Sequence, residues 1–336
     1  MKELFGRGRT MLKLAVAACA LLGVAYTAGD ARAEELSLKG KKIGVSIVGT
    51  DHYWDLMAFR GITEEIQKLG GEAIALDAGR KDQQQIAHLQ TLLAQKPDAV
   101  VEVLGNIEVL NPWLQKIKEA GIPLFTVDTV TPHALNNTTS NNYNIGAEIA
   151  LQMVADMGGK GNVLVFNGFY SVPVCKIRYD QLKYVLTSFP EVKIIEPELR
   201  DVIPNTVQKA YSDVTDMLTK MPEKDSVKAV WACWDVPQIG ASQAAEAAGR
   251  TEVRTYGIDG SPEVIKMVMD PKSTAAAVAA QQPYEIGRTA VQNVAKHLAG
   301  QVVPPFTMVP AVLINKENAA EKGKPFLDAA EAAGAK

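Results

Sequence analysis

Short runs rich in Val and Ile alternate along this chain with stretches whose apolar residues recur every three or four positions. Residues 43–48, 72–77, 99–104 and 123–127 are runs of the first kind. Their near-continuous apolar character predicts strands covered on both faces, as in a parallel sheet flanked by crossover helices. Residues 55–69 carry Ala58, Ile62, Ile66 and Leu69 at helical spacing, and Gly70-Gly71 supplies a C-terminal stop. Further helices are predicted at 83–93 and 112–120. The scheme then repeats, with strands at 162–166, 192–195, 229–232 and 254–258 and helices at 176–187, 206–220 and 238–248. A strand at 275–280, a helix at 283–298 and a strand at 308–314 follow. The Ala-rich stretch after Glu317 predicts a peripheral helix with a frayed end.

Two such arrays in tandem predict an α/β protein of two doubly wound, Rossmann-like parallel-sheet lobes, in which ligands bind beyond the carboxyl ends of the strands. Polar and aromatic residues gather at those ends. The first strand leads into Thr50-Asp51-His52-Tyr53-Trp54-Asp55, the fourth stops at Asp128-Thr129, and later strands stop at Asn167-Gly168, Trp234-Asp235 and Asp259-Gly260. Carboxylates accept hydroxyl hydrogens with charge-assisted strength, and an aromatic face covers the C–H side of a sugar, so the pairing suits a polyhydroxylated ligand. Singly, an Asp before a helix is commonly an N-cap and a lone Trp commonly a core residue. Their joint position carries the reading.

The N-terminus changes the setting. Lys2, Arg7 and Arg9, an almost wholly apolar run over 14–28 and Ala31-Arg32-Ala33 have the layout of a cleavable export signal over residues 1–33. Val16-Ala17-Ala18-Cys19 has the look of a lipoprotein box, but apolar residues continue beyond it, and cleavage after Ala33 is the preferred reading. Outside the leader, every apolar run falls short of the roughly 18 residues that cross a bilayer. A periplasmic body without stable membrane insertion is expected. Five of the 35 Lys and Arg and two of the 38 Asp and Glu lie in the leader, leaving 30 against 36 and a net charge of −6. Nucleic acid and anionic membranes need a basic stripe, so neither is an expected partner.

The remaining 303 residues suit two domains. Cys175 and Cys233 read as two buried thiols in preference to a single bridge. His52, His88, His133 and His297 have no ligand-like spacing, so neither a metal nor any other cofactor is expected. G-x-S-x-G, G-x-x-x-x-G-K-[ST], H-E-x-x-H and G-x-G-x-x-G patterns are missing, which favours a binding protein over an enzyme. The enzymatic alternative pairs Asp128 with Asp259 as acid and base in a carbohydrate-active enzyme.

Several short motifs follow one another in a telling order. They are Lys42-Ile43-Gly44-Val45 with His52-Tyr53-Trp54, Gly121-Ile122-Pro123 before Val127-Asp128, and Ser140-Asn141-Asn142 before a helix. Tyr256-Gly257-Ile258-Asp259-Gly260-Ser261-Pro262 and Gln281-Gln282-Pro283 before Ile286-Gly287 come next. In this the chain beyond the leader resembles the type I periplasmic binding proteins of sugar ABC importers, the ribose-binding group in particular. The resemblance implies a monomer of two lobes joined by a three-segment hinge, with crossings near Asn141, Gln282 and Pro310. One lobe would hold residues 34–141 and 283–310, the other 142–282 and 311–336. It also implies that a sugar or polyol closes the cleft and that an ABC-transporter permease reads the closed form. A membrane histidine kinase or chemoreceptor is the alternative reader. A repressor of the same architecture would need a helix-turn-helix where the export signal stands.

By position, the resemblance implies ligand contacts from His52, Trp54, Asp128, Lys176, Trp234, Asp235, Asp259 and Gln281, and Asp55 and Thr129 join them at the strand ends. Thr129 and Lys176 stand where ribose-type members carry arginine, and Trp234 where they carry asparagine. Two planar guanidinium forks are thus expected to be lost, which points to a neutral pentose, hexose or acyclic polyol other than ribose. A lone Lys among carboxylates argues against a phosphorylated sugar.

Overall fold

The computed structural model describes residues 36–169 and 171–334. The stretch read as an export signal, residues 1–33, and the Cys19 within it lie outside the described residues. The chain opens with β1 (Lys42–Ile47), α1 (Tyr53–Lys68), β2 (Glu72–Asp77), α2 (Asp82–Gln95), β3 (Ala99–Val103), α3 (Ile107–Glu119), β4 (Leu124–Val127) and β5 (Asn136–Thr139). It continues with α4 (Asn142–Asp156), β6 (Gly161–Phe166), α5 (Pro173–Leu186), β7 (Val192–Ile194), α6 (Thr206–Lys220), β8 (Ala229–Ala232) and α7 (Asp235–Ala247). Then come β9 (Arg254–Asp259), α8 (Pro262–Met269), β10 (Ala275–Ala280), α9 (Pro283–Leu298), β11 (Phe306–Met308), β12 (Val312–Asn315), α10 (Ala319–Lys322) and α11 (Lys324–Ala332).

The strands form two six-stranded sheets, ordered β11-β5-β4-β3-β1-β2 and β12-β10-β9-β8-β6-β7, with β12 alone running antiparallel to its neighbour. The chain therefore passes between the sheets three times: after β5, after β10 and after β11. Apolar residues with no exposed surface, such as Val45, Val101 and Phe125 in the first half and Val165, Trp231 and Ile258 in the second, fill the space between sheet and helices. Burying each such side chain contributes about 1.5–3 kcal/mol. Close helix packing has its own requirement. A Cβ at Gly61 of α1 would lie 2.1 Å from the carbonyl oxygen of Tyr284, and one at Gly287 of α9 would lie 2.2 Å from that of Ala58. Two glycines thus let α1 and α9 cross almost backbone to backbone.

Several elements differ from the sequence expectation: the helix expected at 112–120 already begins at Ile107, and the one peripheral helix expected after Glu317 is two, α10 and α11. The strand β5 reads Asn-Asn-Thr-Thr and carries no apolar signal, yet all four residues are buried. Side-chain hydrogen bonds replace apolar packing there, among them Asn136 Nδ2 to the carbonyl of Pro304 at 2.8 Å and to Thr307 Oγ1 at 2.9 Å. The short helix α8 was absent from the periodic pattern. The single strand expected over 308–314 is two, β11 in the first sheet and β12 in the second, with Pro310 between them. A further correction concerns the two cysteines. Cys175 on the first turn of α5 and Cys233 just beyond β8 form a disulfide, with Cα atoms 5.2 Å apart. They are 58 residues apart in sequence, and only the packing of α5 over the end of β8 brings them into bridging range.

Among the described residues no helix is long and apolar enough to cross a membrane. The strands instead deliver their carboxyl ends to one place. There the backbone turns sharply: Leu104, Asp128 and Asp259, all non-glycine, have φ of +51°, +53° and +123°. Such conformations cost on the order of 1–3 kcal/mol each and persist only where surrounding packing enforces them.

Candidate functional site

A cavity of about 490 Å³ lies between the carboxyl ends of the two sheets. The entry to α1 gives it His52, Tyr53, Trp54 and Asp55, while Arg80, Asn106 and Asp128 come from the ends of β2, β3 and β4. The second half contributes Phe169 after β6, Arg178 from α5, Asp201 after β7, Trp234 and Asp235 after β8, and Asp259 from β9. The halves touch across its mouth: the His52 and Trp234 rings lie 4.8 Å apart, and the Ile107 N–H donates to the carbonyl of Ser171 at 3.3 Å.

Of the sequence-predicted residues, His52, Trp54, Asp55, Asp128, Trp234, Asp235 and Asp259 share this cavity. The other three stand elsewhere. Lys176 is 60% exposed and paired with Asp180 one helical turn away. Helical residues advance about 100° each, so with Cys175 and Arg178 turned inward, position 176 faces solvent. The guanidinium expected to be lost is supplied two residues on, by Arg178. Thr129 is wholly buried beneath the cavity, its hydroxyl donating to the carbonyl of Val127 and its N–H to Asn137 Oδ1. Gln281 does not line the cavity; its Oε1 accepts from Arg178 Nη2 at 2.9 Å.

Arg178 is the hub of the floor. Besides Gln281 it donates to Asn142 Oδ1 at 2.7 Å, the carbonyl of Cys233 at 2.7 Å and Asp259 Oδ1 at 3.3 Å. Burial raises Asp259 well above the usual carboxylate range; Arg178 opposes this, and Asp235, Asp55 and Asp128 add to it. Asp128 is likewise raised by burial and lowered by Arg178 and by hydrogen bonds from Thr139 and Asn142. Asp235, also raised by burial, accepts from the Ser261 N–H at 2.7 Å. Desolvated carboxylates close to one another resist ionisation and are stabilised by hydroxyl donors.

At the rim, Arg80 bonds Asp51, Asp55 and His52 Nδ1. Asp51, His52 and Asp55 hold ligand atoms within 4.8 Å of one another, a grouping that could hold a metal ion, but the Arg80 guanidinium already joins all three. A cation there would face a fixed positive charge. Burial pushes Asp55 up to about 7 despite Arg80, while burial and Arg80 together push His52 down to about 4, leaving a neutral ring at pH 7. Trp234 donates its indole N–H to Asp201 and meets Phe169 edge-on at 5.8 Å. Trp54 is buried on the wall, and its indole N–H has no hydrogen-bond partner among the described residues.

Sequence reasoning missed Arg80, Asn106, Phe169, Arg178 and Asp201. Arg80 had a legible signal, since it stands three residues beyond the strand end at Asp77. Arg178 and Asp201 had none, one lying inside a helix and the other in a loop of irregular pattern.

A family model for the periplasmic binding protein domain matches residues 43–301. The ribose import binding protein of Escherichia coli is 26% identical over 261 residues, covering 76% of this chain and 84% of that one. The xylitol-binding protein of Mycolicibacterium smegmatis is 27% identical over 266 residues, covering 76% and 72%. Among solved structures, an ABC sugar transporter subunit from Rhodobacter sphaeroides is 74% identical, with a TM-score of 0.83 over 84% of this chain and 100% of that one. An ABC transporter solute-binding protein from Agrobacterium vitis with bound allitol is 57% identical, with a TM-score of 0.85 over 86% and 100%. The fold, the inter-sheet cavity and the match over most of the chain agree: this protein belongs to the periplasmic binding protein domain family.

Proposed function

We propose that this chain is the capture component of an ABC importer, exported to the periplasm, which takes up a neutral monosaccharide or sugar alcohol and delivers it to a membrane permease. The lobes 34–141 with 283–310 and 142–282 with 311–336 act as two bodies that close over the ligand, and the protein works as a monomer. The observation that carries this reading is the convergence of Asp55, Asp128, Asp235 and Asp259, from opposite halves, on one cavity walled by Trp54 and Trp234. Ligand hydroxyls donate to these carboxylates, the indoles cover C–H surface, and closure excludes water from the charged hydrogen bonds. Binding contacts made only when both halves meet shift the population toward the closed form. The ligand leaves unchanged, so no chemical step is assigned.

Alditols stand first among ligands, because one relative holds allitol and another is named for xylitol. A thermal-shift screen of allitol, xylitol, ribitol, ribose, xylose and galactose tests the reading. A binder at a hundredfold excess over its Kd stabilises by about 2.7 kcal/mol through mass action. Failure of every alditol, pentose and hexose to raise the Tm would overturn it.

A further inference from the structure

We propose that Asp201 is a positioning residue for closure: it fixes the Trp234 indole at the angle that meets His52 from the opposite half. The inference rests on the ligand-capture reading above. Trp234 is the N-terminal boundary residue of α7, held by the chain only through its own backbone, so its indole needs side-chain partners to keep one orientation. It has three. Asp201, 4% exposed in the segment between β7 and α6, accepts the indole N–H. Phe169 meets the ring edge-on at 5.8 Å, and His52 lies 4.8 Å away with the planes tilted by 56°.

Only the last of these contacts crosses between halves. His52 is itself held from behind by Arg80, which Asp51 and Asp55 anchor. The line Asp55, Arg80, His52, Trp234, Asp201 thus spans the mouth of the cavity with a fixed group at each end and one aromatic contact in the middle. Separation of the halves breaks that middle contact and leaves both ends intact. A hydrogen bond that preserves the orientation of Trp234 therefore favours the closed form, which retains ligand, and its loss is read chiefly as faster release.

The test is a double-mutant cycle with allitol as the probe, followed by calorimetry and stopped-flow fluorescence. Asp201→Ala is expected to weaken binding about tenfold, through a faster off-rate. Asp201→Asn, whose amide oxygen still accepts the indole N–H, restores it. In a Trp234→Leu background, Asp201→Ala produces no further loss. Equal losses in both backgrounds would mean that Asp201 binds the ligand directly, and would overturn the proposal. A second readout needs no ligand: the emission assigned to Trp234, by difference against Trp234→Leu, moves to the red in Asp201→Ala and returns in Asp201→Asn. Unchanged emission overturns the positioning role. If wild type binds none of the sugars or alditols tested, the capture reading fails on its own, and the emission still decides whether Asp201 places Trp234.

Discussion

Arg80 and Arg178 both reach the cavity and both face carboxylates, but they are built into the molecule differently. The partners of Arg80 lie within one short stretch, Asp51 to Asp55, and its own side chain keeps 16% exposure. Arg178, with 3% of its side chain exposed, ties together the start of α4, the end of β8, the end of β9 and the segment after β10. One arginine adjusts the electrostatics of a rim; the other joins four separate pieces of backbone beneath the ligand cavity. A buried charge with many partners is a structural commitment, because removing it strands every partner at once.

The sharpest way to break this contrast is Arg178→Met. It leaves Asp259 without its cation and Asn142 and Gln281 without a donor, at a cost of about 3–5 kcal/mol. Thermal denaturation should show a fall in Tm on the order of 10 °C, with alditol binding lost. A Tm close to wild type would mean that the floor is held by packing instead.

Asp128→Ala and Asp259→Ala come next. Each removes a desolvated acceptor and should weaken binding by about ten- to a hundredfold, measured by calorimetry. Asp259 should cost more, since its loss also exposes Arg178.

Arg80→Met probes the rim. Burial, the larger cause of the depression, remains, so without the guanidinium the His52 midpoint should climb only part of the way from about 4 toward its ordinary 6.5, followed by NMR of the imidazole protons. The sign for stability follows from linkage. The folded state holds His52 below its unfolded value, so its contribution is complete above pH 6.5 and is lost as pH falls through about 4. Asp55, raised to about 7, works the other way, its contribution being complete below 3.8 and lost as pH rises through 7. Between pH 7 and 4 the two contributions oppose each other, so removing that of His52 should raise the Tm at pH 4 relative to that at pH 7 in His52→Gln compared with wild type, by thermal denaturation at the two pH values.

The smallest effect belongs to Lys176→Ala. An exposed pair with Asp180 is worth at most about 1 kcal/mol, and alditol affinity should not change. A large loss of affinity would return Lys176 to the site and contradict the solvent-facing geometry of α5.

The alternation of apolar strands with amphipathic helices, read from residues such as Ile43, Val45, Ile62 and Ile66, was enough for the lobed α/β architecture, because burial on two faces of a sheet leaves a continuous apolar run. Strand ends were legible for the same reason. Where an apolar run stops at Asp128 or Asp259, the chain has reached the edge of the sheet, and in a doubly wound fold that edge is the cleft. Polar cores escaped this logic. Nothing in Asn136-Asn137-Thr138-Thr139 announces a strand whose side chains satisfy one another inside the protein.

What the sequence determined by itself was the order of elements and the set of polar residues at their ends, since both depend on local periodicity. What only tertiary structure decided was which side chains share a space: that Arg178 and not Lys176 faces inward, that Cys175 finds Cys233, and that Trp234 meets His52 and Asp201. Those outcomes depend on helix rotation and on packing between segments far apart in the chain, and a hydrophobic pattern, being blind to distance across the fold, carries no record of them.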